Sequence, residues 1–144
     1  QLGSGTVLET LALIEKGNIS TTIQKENPKI KTAYKLNKEN CKIDWTKSAK
    51  EIYNLIRGLS PYPSAWCFFQ DKNEEWNVKI HEAKMTLEDH SIVVGSLICS
   101  KKEMRIAVKD GFIEVISIQF PGKKKMNVGE LLNGIAFSAE AKAV

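Results

Sequence analysis

"MRIAVKDGFIEVISIQF", residues 104–120, decides how this chain folds. Met104, Ile106 and Val108 alternate with Arg105 and Ala107, and a second apolar run from Phe112 to Phe120 follows Asp110-Gly111. Alternation at period two marks a strand with one buried face, and an Asp-Gly pair between two such runs is a strong hairpin signal. The pattern extends upstream. "SAWCFFQ" (64–70), "WNVKIHEAK" (76–84, with Trp76, Val78 and Ile80 at period two) and "SIVVGSLICS" (91–100) read as three more strands. Five short strands in roughly 55 residues, separated by turns, predict a small antiparallel barrel.

Helices flank these strands. "WTKSAKEIYNLIR" (45–57) puts Trp45, Ala49, Ile52, Tyr53 and Ile56 on one stripe, with Asp44 as the expected N-cap and Gly58 as the expected stop. Pro61 and Pro63 in "SPYPS" are expected to hold an extended path that aims this helix at the first strand. A short helix is predicted over 128–133, with Asn127 and Glu130 at capping spacing and Gly134 as its stop. At the other end, "GTVLETLALIEKGN" (5–18) reads as a helix with Thr6 and Glu9 at capping-box spacing and Gly17-Asn18 as the stop. Residues 19–40 show no sustained apolar period and read as a linker. A lone helix and a linker cannot bury their own apolar face, so the helix is expected to belong to a domain outside this chain.

Composition narrows the function. An apolar fraction of 42% and a charged fraction of 26% are ordinary for a globular domain, and no apolar run approaches the ~20 residues of a membrane helix. The chain opens at Gln1 without a signal-peptide pattern, which reads as an excised fragment. Cys41, Cys67 and Cys99 are far apart, with neither C-x-x-C nor a nearby histidine pair. Free thiols in a reducing cytosol are expected, with no metal site. His81 and His90 stand alone and are expected at the surface, His81 pointing to solvent. No phosphate-cradling glycine loop, nucleophile elbow or zincin motif is present, so no catalytic constellation is expected.

The net charge of +4 is mild but unevenly spread. Residues 25–50 carry eight lysines against Glu26, Glu39 and Asp44. Residues 101–125 carry seven basic groups against Glu103, Asp110 and Glu114, while residues 71–91 between them are net acidic. This polarity favours a polyanionic partner. Within the second block, "FPGKKKMN" (120–127) sets three consecutive lysines on a Pro-Gly turn beside the barrel. Small barrels of this kind bind nucleic acid along a basic face, with phosphates supplying most of the affinity. Trp66, Phe68 and Phe69 lie in core-like runs, so backbone and shape recognition is expected more than base stacking.

Four blocks resemble one known family. "KLNKENCKIDW" (35–45), "IRGLSPYPSAW" (56–66), "VKIHEA" (78–83) and "SIQFPGKKKM" with "LLNG" (117–134) look, in that order, like the C-terminal domain of methionyl-tRNA formyltransferase. "ETLALIEKGN" (9–18) resembles the last helix of that family's catalytic domain. The resemblance implies a mainly β fold, an OB-like antiparallel barrel with a packing helix over 41–144, joined by a basic linker at 19–40 to residues 1–18, the end of an α/β formyltransferase domain that is otherwise missing. The whole enzyme would be a cytoplasmic monomer that moves a formyl group from 10-formyltetrahydrofolate to initiator methionyl-tRNA in translation initiation. Its catalytic residues lie upstream, so the resemblance implies none here and no cofactor bound by this chain. Initiator tRNA and the missing catalytic domain are the expected partners, with no membrane.

By motif, the RNA-binding candidates are Lys35, Lys38 and Lys42 in the linker block, Arg57 at the helix end, and Lys123, Lys124 and Lys125 in the lysine loop. Arg57 has a second reading as a charge that complements the helix dipole. The tail 135–144 matches nothing in the family pattern. The alternative is the barrel of a related sugar-nucleotide formyltransferase or formyltetrahydrofolate hydrolase or dehydrogenase, shaping or shielding an active site. The lysine run and the basic linker favour RNA.

Overall fold

A computed structural model describes residues 2–23, 25, 31 and 33–144; residues 24, 26–30 and 32 of the expected linker lie outside the described residues. The chain divides into two units between Tyr34 and Lys35. In the first, α1 spans Leu2–Glu15. It starts three residues earlier than expected, and Thr6 is no cap: its hydroxyl donates to the carbonyl of Leu2 inside the helix. The predicted stop is present. Gly17 adopts a φ of +69°, with Asn18 N–H donating to Leu13 and Gly17 N–H to Ile14, the paired bonds of a Schellman end.

The second unit is a mainly β, antiparallel barrel. Its strands are β1 (Ala65–Asp71), β2 (Glu74–Leu87), β3 (Leu97–Cys99), β4 (Met104–Val108), β5 (Gly111–Gln119), β6 (Met126–Asn127) and β7 (Lys142–Ala143). They pair in the order β3-β4-β5-β2-β1-β7, with β6 on β5. Closure comes from the unassigned tail. Val144 and Phe68 exchange both backbone hydrogen bonds on the β1 side. On the other side Ala143 N–H donates to Gly95 and Leu97 N–H to Ala141. The two open edges of the sheet are thereby paired through one short segment, which removes a template for aggregation.

Local chemistry explains the elements. The β4–β5 hairpin turns on Lys109-Asp110, with Val108 opposite Gly111. Gly111 is already in the strand, and a Cβ there would sit 1.9 Å from the Thr86 carbonyl oxygen, so only glycine fits. The expected strand at 91–100 shrinks to three residues. Gly95 takes a φ of +87° and Ser96 N–H closes a turn onto Val93, leaving Ile92, Val93 and Val94 exposed.

The packing helix α2 runs Ala49–Leu59, not 45–57. Ser48 is its N-cap, in a reciprocal capping box with Glu51, while Asp44 instead caps the turn at Thr46. Ala49, Ile52, Ile56 and Leu59 are buried and pack the helix on β2 and β5. Gly58 lies inside the helix, which stops at Ser60 before Pro61. The corner that follows is a tight turn and not an extended path. Its two prolyl bonds are cis, Ser64 N–H donates to Leu59, and the Ser64 hydroxyl donates to the carbonyl of Pro61. A third helix, α3, spans Val128–Leu132 with Asn127 at its start.

The core joins α2 to the barrel interior through Ile52, Ile56, Phe69, Ile80, Ile106 and Ile113, all essentially inaccessible. Truncating any one of them to alanine costs about 2–5 kcal/mol. Among the described residues no helix is long and apolar enough to cross a membrane.

Candidate nucleic-acid interface

Strand β1 buries Ala65, Cys67, Phe69 and Asp71 and turns Trp66, Phe68 and Gln70 outward. The expectation that all three aromatics are core therefore holds for Phe69 alone. Trp66 and Phe68 meet edge to face at 5.4 Å and form an outer platform. The segment before α2 lies along it. Ile43 N–H donates to the Trp66 carbonyl, and the Trp66 indole N–H donates to the Lys38 carbonyl at 2.7 Å. These bonds place Lys38 Nζ 5.4 Å from the Trp66 ring, and Lys42 Nζ 5.8 Å from Trp66 and 5.5 Å from Phe68. Such pairs contribute about 0.5–1 kcal/mol at exposed sites. Here they also leave both ammonium groups in water. Beside the platform an open groove of about 550 Å³ is lined by Leu36, Lys38, Tyr62, Trp66, Asn77 and Lys79 among others. Tyr62 at its edge is 87% exposed.

A second cation pair lies at the end of α2. Arg57 and Lys125 line one cavity of about 390 Å³ together with Tyr53, Ser60, His81 and Glu82. The last turn of α2 supplies Arg57, and the chain leaving the Pro121-Gly122 turn supplies Lys125. Among the described residues neither cation has a carboxylate within 4.0 Å; Arg57 meets only the Asn54 amide oxygen, at 3.3 Å.

One cross-strand row links the two groups. Trp66 pairs with Lys79, and Lys79 with Gln119, across β1, β2 and β5. Gln119 then donates to the Lys123 carbonyl at 3.0 Å, tying the lysine loop to the row. The structure thus brings together Lys38 with Lys42 and Arg57 with Lys125. Lys123 enters through its backbone, Lys35 accepts from Asn40 Nδ2, and Lys124 is exposed. Arg105, counted in the second basic block, is engaged elsewhere, 3.0 Å from Glu88 and stacked on Phe112.

Sequence reasoning missed Lys79, Gln119, Tyr62 and His81. Lys79 and Gln119 carried a signal, since each is the polar member of an alternating strand. His81 is corrected here. It is 9% exposed, because the corner after α2 folds over it. It is the extra residue between the Ile80–Ile118 and Glu82–Ser117 pairs, a bulge that disturbs the strand's regular alternation. Its Nδ1 lies 3.2 Å from Ser64 Oγ and its Nε2 3.4 Å from Gln119 Oε1. Burial holds its pKa below the ordinary imidazole value; Gln119 opposes this and the charges of Lys125 and Lys79 add to it. His90 is half-buried, with Nε2 2.9 Å from the Gly111 carbonyl oxygen and its ring against Phe112.

Residues 35–136 match the family described as "Formyl transferase, C-terminal domain", and the chain belongs to that family. Within it, the chain is 67% identical over 141 residues to the methionyl-tRNA formyltransferase of Flavobacterium johnsoniae, covering 98% of this chain and 45% of that protein. It is 40% identical over 138 residues to the same-named protein of Bacteroides fragilis, covering 92% and 43%. The chain therefore spans under half the length of these relatives. In fold it is similar to HypX from Aquifex aeolicus, with a TM-score of 0.56 at 22% identity over 92% of this chain and 24% of that one.

Proposed function

We propose that this chain is the RNA-docking portion of a methionyl-tRNA formyltransferase, holding initiator methionyl-tRNA while a separate domain transfers the formyl group from 10-formyltetrahydrofolate. The observation that carries the reading is the row Trp66–Lys79–Gln119, which joins the Lys38–Lys42 platform to the Arg57–Lys125 cavity on one outer face. Cations grouped beside a strand row suit a phosphodiester backbone, and phosphate contacts fix register without reading sequence. The relatives' names supply the nucleic acid: a tRNA. In this reading the chain bonds to no reacting atom. It lends rate by positioning a large substrate.

The test is a titration of this chain with initiator tRNA at several salt concentrations, beside Lys38→Ala/Lys42→Ala and Lys123→Ala/Lys124→Ala/Lys125→Ala variants. Each lost phosphate contact lowers the slope of log K against log salt by about 0.7–0.9. A drop of about 1.5–2.5 in either variant supports the docking face. Equal binding by wild type and both variants refutes it.

A further inference from the structure

His81 sits at the floor of the Arg57–Lys125 cavity in an unusual hydrogen-bonding position. The Ser64 hydroxyl spends its proton on the Pro61 carbonyl at 2.7 Å, so it turns a lone pair toward His81 Nδ1. The Gln119 amide N–H donates to the Lys123 carbonyl, so its oxygen faces His81 Nε2. Flipping that amide would set its oxygen against the Lys123 carbonyl, which forbids the exchange. Both ring nitrogens therefore face acceptors. In this arrangement the imidazolium, with two N–H groups, satisfies both; the neutral Nε2–H tautomer does so only when Ser64 turns its proton from the Pro61 carbonyl to Nδ1.

The charges around the ring oppose that protonation. Arg57 and Tyr53 come from α2, Lys79 and Glu82 from β2, and Lys125 from the lysine loop, while the corner and β5 contribute only the neutral Ser60, Ser64 and Gln119. Three cations against one carboxylate keep an empty cavity positive. An oxyanion in the cavity would reverse this balance. It would neutralise Arg57 and Lys125, accept from the Ser60 hydroxyl, and favour a proton on the ring beneath it. Glu82 and the carbonyl end of α2 work against an anion, so both cations are needed.

We infer that the Arg57–Lys125 cavity is a pocket for one phosphodiester of a bound RNA backbone, and that its occupation is coupled to protonation of His81. This rests on the RNA-docking reading for its ligand, though the pocket's chemistry is that of any tetrahedral oxyanion. Binding and protonation are linked, so each must strengthen the other by the same factor, about 5- to 150-fold for couplings of this kind.

The experiment follows the His81 ring signals by NMR across about pH 5 to 8 at constant ionic strength, without and with sulfate, a tetrahedral dianion whose charge does not change in that range. Binding of a short RNA duplex is measured over the same range. Wild type is compared with Lys125→Ala and Arg57→Ala, both at exposed positions, and with His81→Gln and His81→Asn, whose folding is checked by their amide spectra. The expected result is that sulfate moves the His81 titration to higher pH in wild type and not in Lys125→Ala. RNA affinity should fall at least about fivefold from the acid to the alkaline end, and this dependence should flatten in a folded His81 variant. RNA binding that is unaffected by Arg57→Ala and Lys125→Ala, with His81 unmoved by sulfate, overturns the pocket. A His81 response to sulfate without any RNA binding keeps the oxyanion pocket and refutes the docking function.

Discussion

The carboxylate of Asp110 accepts a hydrogen bond from the backbone N–H of Ala49 at 2.7 Å, joining residues 61 apart in the chain. Ala49 is the first residue of α2, so the β4–β5 hairpin satisfies one of the helix's orphan donors and sets a negative charge at its positive end. The same turn that signals the hairpin therefore also docks the helix. Asp110→Ala is expected to cost about 1–2 kcal/mol and Asp110→Asn less, since its amide oxygen can still accept. Urea unfolding at neutral pH measures both; a loss in neither would mean the contact adds nothing to docking.

The tail is held by Asp71, which accepts from both the N–H of Ser138, at 2.8 Å, and its hydroxyl. These bonds hold the Asp71 carboxyl below the usual carboxylate range. The sign follows: the contribution is complete above the unfolded value of about 3.9 and is lost as pH falls through the lower folded value. Asp71→Asn should lower the urea midpoint at pH 7, and the gap to wild type should narrow as pH falls below the unfolded value of about 3.9. A gap that persists in acid would trace the loss to packing and not to the charge.

Lys79 is exposed at the centre of the cross-strand row and was not among the charges singled out by motif. Lys79→Ala is expected to lower the salt slope of tRNA binding by about 1 while leaving the unfolding midpoint unchanged. Lys50→Ala, an exposed lysine on α2 that lines none of the grooves of this face, serves as the control. An equal effect from both variants would reduce the row to diffuse charge.

The thiols should separate by reactivity. Burial, with the charge of Asp71 adding to it, pushes the half-buried Cys99 up to about 11, and burial raises the inaccessible Cys67 as well. Only the thiolate attacks a disulfide reagent, so labelling of Cys99 should accelerate about tenfold per pH unit between pH 8 and 10. Cys67 should label only on unfolding. Fast labelling of Cys99 at pH 7 would contradict its burial.

Much of the barrel was legible because strands β2 and β4 carry their own alternation, where a one-residue slip would bury their polar faces, and Asp110-Gly111 marks the hairpin into β5. What failed failed for physical reasons. Asp44 and Ser48 are both good caps, and which one opened α2 depended on Glu51 closing a box on Ser48. The run Ile92–Val94 is strand-like in composition, yet Gly95 turns the chain to meet Ala143 and leaves the run outside the sheet. Strands of two residues, β6 and β7, are too short to show a period. The aromatic run of β1 looks the same whichever face each ring takes, so the outward Trp66 was invisible until β2 and the segment at Lys38 were packed around it.

By itself, the sequence determined the class of fold, the family, and which cations were available to bind a polyanion, because these depend on local periodicity, motif order and charge. Tertiary structure alone decided how those cations are grouped. Lys38 joins Lys42 through a hydrogen bond from a tryptophan 28 residues away, and Arg57 meets Lys125 because α2 and the lysine loop converge above a bulged strand. It also gave the tail its task of closing the barrel. Each of these contacts joins distant stretches of chain, and no local pattern encodes a pairing whose energy exists only once both partners are in place.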